Sequence, residues 1–199
     1  MQDLFLFILL MVYFLSGTFT YGQKVNGLVT TKEGILHEGI VKLKLKHLKV
    51  KTADSGGFIK IPAEAVEDVF IFYEDEIIRY QYVPVSFYGG QWLMYFADLN
   101  GKKIYRHVKL YKTGKNKLHE KWYYFGLEEG AKMATWLHVS NNQDIFFKNN
   151  LLHFFGDKPE VKSLILEGYL SAENILEIIR LYQSEVSSMA VMEGVNREE

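Results

Sequence analysis

Histidine and carboxylate side chains are the first candidates for chemistry in this chain. No two of its 6 histidines flank a glutamate at the helical spacing of the zinc-protease pattern HExxH. His119 is followed directly by Glu120. An imidazole and a carboxylate suit general acid–base catalysis, but a bare dipeptide does not supply the other partners that a site needs. The sequence therefore predicts no catalytic residue and no metal ligand, and a hydrolase-type enzyme using His119 and Glu120 stays open as an alternative.

Motifs for nucleophilic catalysis and phosphate binding are also missing. The chain has no Gly-x-Ser-x-Gly elbow. Its glycine pairs, Gly56-Gly57 and Gly89-Gly90, lack the Lys-Ser/Thr that completes a phosphate-binding loop. With 0 cysteines, the chain has no disulfide, thiolate metal site or cysteine nucleophile. We therefore expect no cofactor.

Aromatic side chains are the most unusual feature of the sequence. They make up 15% of the chain and concentrate between residues 70 and 96, with a second group at 122–125. Exposed tyrosine and tryptophan rings stack on sugars or anchor a protein partner. The same rings also fill the cores of β-sheets, and we expect most of them to do so here.

Three tyrosines are the candidate binding residues. Tyr80 and Tyr82 share one face of a regular strand because they are two residues apart. Val83 and Val85 have the opposite parity and form an apolar face that should point to the core, which leaves the tyrosines outward. With Tyr95 on the neighbouring strand, we predict an open platform that binds an envelope protein or a glycan.

A run of lysines alternates with apolar residues between residues 42 and 51. The lysines occupy even positions up to Lys46 and odd positions at Lys49 and Lys51, so a turn or bulge is expected near 46–48. The run suits an anionic glycan or a lipid headgroup. It also suits a water-facing strand that resists edge-to-edge pairing, which is the interpretation we favour.

Net charge argues against nucleic acid as a partner. The chain carries 23 basic and 24 acidic residues, for a net charge of -1. Nucleic-acid-binding domains are usually clearly basic.

Strand and turn signals dominate residues 24–139. Asp54-Ser55-Gly56-Gly57 and Asn100-Gly101 are typical hairpin turns, and aromatic enrichment favours strands. The spacing becomes helical after Ser140, and short helices need tertiary packing to be stable. We predict an α+β, mainly β fold: an antiparallel sandwich, roll or open barrel over 24–139, two or three helices over 140–186 packed on it, and a frayed tail over 187–199.

The last predicted helix carries the apolar face that should pack on the strands. Its members are Ile175, Ile178, Ile179 and Tyr182.

The first 22 residues read as a secretory signal peptide. Residues 4–15 are apolar and uncharged, and small or polar residues follow up to Gly22. Cleavage before Gln23 would give a periplasmic or secreted protein without stable membrane insertion. An uncleaved N-terminal anchor is the alternative, although the apolar stretch is short for a spanning helix.

Short motifs lie at residues 26–34, 38–41, 124–130, 155–161 and 178–183. Together they resemble a family of uncharacterised exported proteins common in the Bacteroidota. The chain departs from the family at Lys158, where relatives often have cysteine, and at Gln183, where they often have asparagine. The resemblance implies export and no known activity, so no functional residue is carried over from it.

These observations favour a non-enzymatic binding or interaction module of the cell envelope. The alternatives are the His/Glu hydrolase and a purely structural envelope component.

Overall fold

The computed structural model describes residues 24–113, 117–139, 145–168 and 174–184. The predictions for the signal peptide (1–22) and the tail (187–199) lie outside the described residues. Within the described ranges, none of the helices is both long enough and apolar enough to cross a membrane.

Ten antiparallel strands carry most of the structure. They are β1 (Val25–Thr31), β2 (Leu36–Lys44), β3 (His47–Lys51), β4 (Ile59–Pro62), β5 (Val66–Tyr73), β6 (Glu76–Val85), β7 (Gly89–Asp98), β8 (Lys102–Thr113), β9 (Lys117–Glu128) and β10 (Thr135–Val139). A short 3₁₀ turn, Ala63–Ala65, precedes β5.

The helices follow the last strand. They are α1 (Ile145–Phe155), α2 (Pro159–Glu167) and α3 (residues 174–184). Gly168 ends α2 in the left-handed conformation, with φ 99°, which glycine adopts without steric cost.

The chain forms two compact units, residues 24–78 and 79–184, and the division falls inside β6. In the first unit, the strand order is β5-β1-β2-β3-β4. One face of these strands forms the core, because Val29 lies opposite Val69 and Val41 lies opposite Val50, all fully buried. The opposite face carries the lysines of β2, β3 and β4.

In the second unit, the strand order is β6-β7-β8-β9-β10. Ile104 and Tyr124, on one face, pack in a cluster with the buried side chains of the helices. Leu93, Tyr105 and Phe125, on the other face, form a second buried cluster. These strands therefore carry buried side chains on both faces.

The predicted fold class is confirmed. The strands are antiparallel, helices follow them, and the linear strand order shows an open arrangement rather than a closed barrel. The predicted apolar face of α3 is confirmed too: Ile175, Ile178, Ile179 and Tyr182 are at most 3% exposed and belong to the cluster that contains Ile104.

Candidate ligand-binding cleft

The three predicted tyrosines do not form one platform. Tyr80 pairs with Met94 and Tyr82 with Trp92, so these side chains share a face. Tyr95 follows Met94 in β7 and points to the opposite face.

The expectation that Tyr80 points to solvent was wrong. Tyr80 is only 8% exposed, and Val83 on the other face of β6 is also buried. The alternation of residues in β6 predicted that side chains on one face lie in the core and those on the other face point to solvent. In this part of β6 the side chains on both faces are buried. Tyr82 is half-buried, with its ring centroid 5.2 Å from that of Trp92.

Tyr95 is held among its neighbours. The Arg79 guanidinium lies 4.6 Å from the centroid of its ring, and the Tyr105 ring packs edge-on at 5.9 Å. Its hydroxyl donates a hydrogen bond to the carboxylate of Asp98 at 3.4 Å. These contacts give Tyr95 a structural role in the described fold.

The strand geometry separates the proposed acid–base pair. His119 and Glu120 are consecutive residues of β9, so their side chains project from opposite faces. In the described part of the chain, no group of three or more His, Cys, Asp or Glu side chains could hold a metal ion.

A cleft of about 470 Å³ opens between the strands of the second unit and α3. Its lining residues are Phe96, Ala97, Arg106, Trp122 and Tyr124 from β7, β8 and β9, and Leu176, Ile179, Arg180 and Gln183 from α3. Most of these side chains are apolar or aromatic, and two carry guanidinium groups.

The pairing register brings the strand side chains of the cleft together. Arg106 on β8 lies directly between Met94 on β7 and Tyr124 on β9. Trp122 is two residues from Tyr124 and shares its face. The register of β7 against β8 shifts between Tyr95 and Ala97, and at this irregularity both Phe96 and Ala97 line the cleft. The four lining residues of α3 share one face of the helix because they follow the i, i+3, i+4, i+7 spacing: Leu176, Ile179, Arg180 and Gln183.

Arg106 is the central polar group of the cleft. Its guanidinium lies 5.1 Å from the Phe96 ring centroid and 5.3 Å from the Trp122 ring centroid. Its Nε donates a hydrogen bond to the Met94 sulfur at 2.9 Å, and sulfur is a weak acceptor. Across the described ranges, no carboxylate forms an ion pair with Arg106. The terminal guanidinium nitrogens therefore keep donor capacity for an anion.

Tyr124 adds a neutral hydroxyl beside this cation. Burial raises the pKa of the Tyr124 phenol, and the nearby Arg106 charge only partly offsets that rise. The phenol consequently stays protonated at neutral pH and can donate a hydrogen bond. Arg180 is exposed and supplies a second positive charge at the cleft.

Exposed aromatic side chains occur instead at the β6–β7 hairpin. Phe87 has φ 71°, a rare conformation for a non-glycine residue, and is 95% exposed. The neighbouring Tyr88 ring stacks on Trp136 with centroids 5.0 Å apart. With Asn150, these residues line a second concavity of about 400 Å³. Gly89-Gly90 predicted a turn in this hairpin. The alternation of side chains along β6 ends where the loop begins, so it could not predict the exposure of the loop residues.

Comparisons with known proteins add no function. No protein-family model matches the chain, and it matches neither a curated protein nor a solved structure. The resemblance to exported proteins of the Bacteroidota therefore stays a prediction.

Proposed function

We propose that this protein is a non-enzymatic binding module of the cell envelope, and that its cleft binds a ligand with an anionic group attached to an apolar or aromatic body. The observation that carries the proposal is the Arg106 guanidinium, held between two rings without a carboxylate partner in the described ranges.

The cleft is suited to both ends of such a ligand. A carboxylate or phosphate would accept hydrogen bonds from Arg106 and the Tyr124 phenol, with Arg180 adding attraction. An apolar body would pack against Trp122 and Leu176. Largely apolar concavities with a few convergent polar groups are the usual form of small-molecule sites.

Export to the envelope is proposed from the sequence alone. The apolar stretch at 4–15, followed by small and polar residues up to Gly22, supports it. N-terminal sequencing of the protein from its native host tests this part, with Gln23 expected as the first residue. Recovery of a membrane-bound form that retains residues 1–22 would support the anchored alternative.

Matched pairs of ligands test the cleft. We would measure binding of aryl carboxylates and aryl phosphates by calorimetry, each beside its neutral amide or ester. The anionic member should bind on the order of tenfold to a hundredfold more tightly, since a hydrogen bond to a charged group contributes about 1.5–3 kcal/mol. Equal binding of the neutral members would contradict the proposal.

Arginine variants identify the group responsible. Arg106→Gln should remove most of the preference for the anion, and Arg106→Lys should restore only part of it because lysine lacks the planar fork of donors. Arg79→Gln is the matched control, because its guanidinium also lies over a ring but on the opposite face of the strands. An equal loss in both glutamine variants would show that the cleft is not the site.

A purely structural role is the alternative outcome. If no anionic probe binds and Arg106→Gln lowers only the melting temperature, the guanidinium serves packing and the structural interpretation gains support.

A further inference from the structure

The first unit presents a basic surface that the sequence showed only in part. Lys42 on β2 lies directly opposite Lys49 on β3, and Lys49 lies directly opposite Lys60 on β4. Lys44 and Lys51 are two residues from members of this row and share its face. We call these five residues, Lys42, Lys44, Lys49, Lys51 and Lys60, the lysine face.

The turn between β2 and β3 explains the change of parity in the lysine run. Lys44 pairs with His47, so Leu45 and Lys46 form a two-residue connection. The even-numbered lysines of β2 therefore face the same side as the odd-numbered lysines of β3. The expected turn does lie in this region, and it gathers the lysines on one side instead of dividing them.

Edge protection does not explain this arrangement. In the first unit β4 is an edge strand, whereas β2 and β3 each pair with a strand on both sides. Lys42 and Lys49 thus lie on interior strands, where no edge needs protection. Like charges directly opposite each other destabilise a sheet. In the described ranges, no carboxylate forms an ion pair with Lys42, Lys49 or Lys60.

The electrostatics of His47 reflect the same concentration of charge. The pKa of this half-buried imidazole lies below its ordinary value, chiefly through desolvation and further through the charges of Lys60, Lys49 and Lys44. His47 thus adds hydrogen-bonding capacity rather than another charge at neutral pH.

Exposed apolar side chains accompany the lysines. Leu45, at the tip of the β2–β3 turn, is 49% exposed between two lysines. The ring of Phe58 is 37% exposed and lies 4.8 Å below the Lys42 ammonium. Ile40, opposite Lys51, is also exposed. Lysine with apolar side chains is the combination by which proteins bind the interface of an anionic membrane.

We propose that the lysine face, with Leu45 and Phe58, binds the surface of a bilayer that contains anionic phospholipid. The lysines neutralise the headgroup charge, and the two apolar side chains enter the boundary between headgroups and acyl chains. The exposed apolar side chains favour a lipid surface over a hydrated anionic polysaccharide, which would need only the charge. This surface lies within residues 24–78 and does not depend on the proposed cleft.

Vesicle binding tests the proposal with the full chain. The measured quantity is the ratio of binding to phosphatidylcholine vesicles with and without phosphatidylglycerol, because the apolar side chains at 4–15 would contribute to both. Lys42→Gln/Lys49→Gln/Lys60→Gln should lower this ratio on the order of a hundredfold, at about 1 kcal/mol per lysine near an anionic surface. The ratio for the unchanged chain should also fall as salt is added.

A charge-matched control removes three lysines elsewhere. Lys32, Lys132 and Lys162 are exposed and lie outside the lysine face. Their triple glutamine variant should retain the ratio of the unchanged chain. Thermal unfolding distinguishes misfolding from lost binding, because removal of opposed like charges should leave the melting temperature unchanged or raise it.

Variants of the exposed apolar residues distinguish a membrane from a soluble polyanion as the ligand. Leu45→Ser should weaken vesicle binding severalfold and leave binding to dextran sulfate unchanged. Ile77→Ser, at another exposed apolar position, should change neither vesicle binding nor dextran sulfate binding. Equal ratios for the two triple variants would overturn the proposal. So would tight binding to dextran sulfate together with no preference for phosphatidylglycerol vesicles, which would identify a polyanion surface instead.

Discussion

The Lys102 ammonium and the Asp157 carboxylate lie 2.9 Å apart, where the start of β8 meets the turn between α1 and α2. The same carboxylate accepts a hydrogen bond from the Tyr182 hydroxyl at 2.8 Å. Lys102 also donates to the backbone carbonyl of Phe154. β8, α1, the turn between α1 and α2, and α3 are thus joined through two charged side chains, in the unit that holds the proposed cleft.

Asp157→Asn should cost stability only where the carboxylate is ionised. Burial by itself would raise the pKa of Asp157, but the hydrogen bonds from Lys102 and Tyr182 and the Lys102 charge outweigh it, so the pKa is lowered. A lowered pKa gives stability that is present above the unfolded-state value of about 3.9 and lost as pH falls through the folded-state value.

The expected loss at neutral pH is about 1 kcal/mol or less, because the Asp157 side chain is 49% exposed and solvent screens the pair. Urea unfolding across pH measures the loss, with Glu160→Gln as the exposed control. The difference in unfolding free energy between Asp157→Asn and the unchanged chain should shrink below the folded-state pKa. An undiminished difference there would show that the stability does not depend on the charge of Asp157.

Ile179→Asp should destabilise the protein by several kcal/mol. Ile179 is 3% exposed, and an unpaired carboxylate there would lose its hydration. Thermal unfolding measures the effect, and Glu177→Gln on the exposed side of α3 is the control. An unchanged melting temperature for Ile179→Asp would show that α3 does not pack stably on the strands.

Local signals in the sequence predicted the elements that depend on neighbouring residues. Asn100-Gly101 forms the β7–β8 turn with both residues at positive φ. The spacing of Ile175, Ile178 and Ile179 predicted the buried face of α3. These features follow from turn geometry and helical periodicity, which a short window of sequence contains.

The candidate site could not be predicted in the same way. Arg106 meets Tyr124 and Trp122 through the β8–β9 register, and it meets Arg180 only after α3 packs on the strands. Tyr80 was misplaced for a related reason, because periodicity distinguishes two faces of a strand but does not show that both are covered. Pairing register and layer packing are long-range properties, so they required the structure.

Tyr105→Phe should destabilise the second unit by about 1–2 kcal/mol. The Tyr105 hydroxyl donates a hydrogen bond to the side-chain oxygen of Gln81 at 2.7 Å, and both residues are buried. The variant leaves a buried acceptor without this donor, which costs more than the net value of an average hydrogen bond.

Chemical denaturation measures the loss of stability. A double-mutant cycle with Gln81→Leu shows whether the loss comes from the hydrogen bond. The cost of Tyr105→Phe should fall to near zero in the Gln81→Leu background, where no acceptor remains. A full cost in that background would assign the effect to ring packing rather than to the hydrogen bond.

Gly126→Ala should destabilise the packing of α1 on β9. An added Cβ at Gly126 would lie 2.4 Å from Cε2 of Phe154 and 2.6 Å from its Cζ, closer than packed carbons approach. Phe154 is 3% exposed, so its ring cannot move into solvent without losing buried apolar contact. We expect a cost of about 1–3 kcal/mol, as for other overpacked cores.

Gly57→Ala is the control, since its added Cβ meets nothing within 4 Å. In a Phe154→Ala background the obstructing ring is gone, and Gly126→Ala should then be nearly neutral. An equal cost in both backgrounds would show that the glycine is required by the backbone of β9 and not by the helix above it.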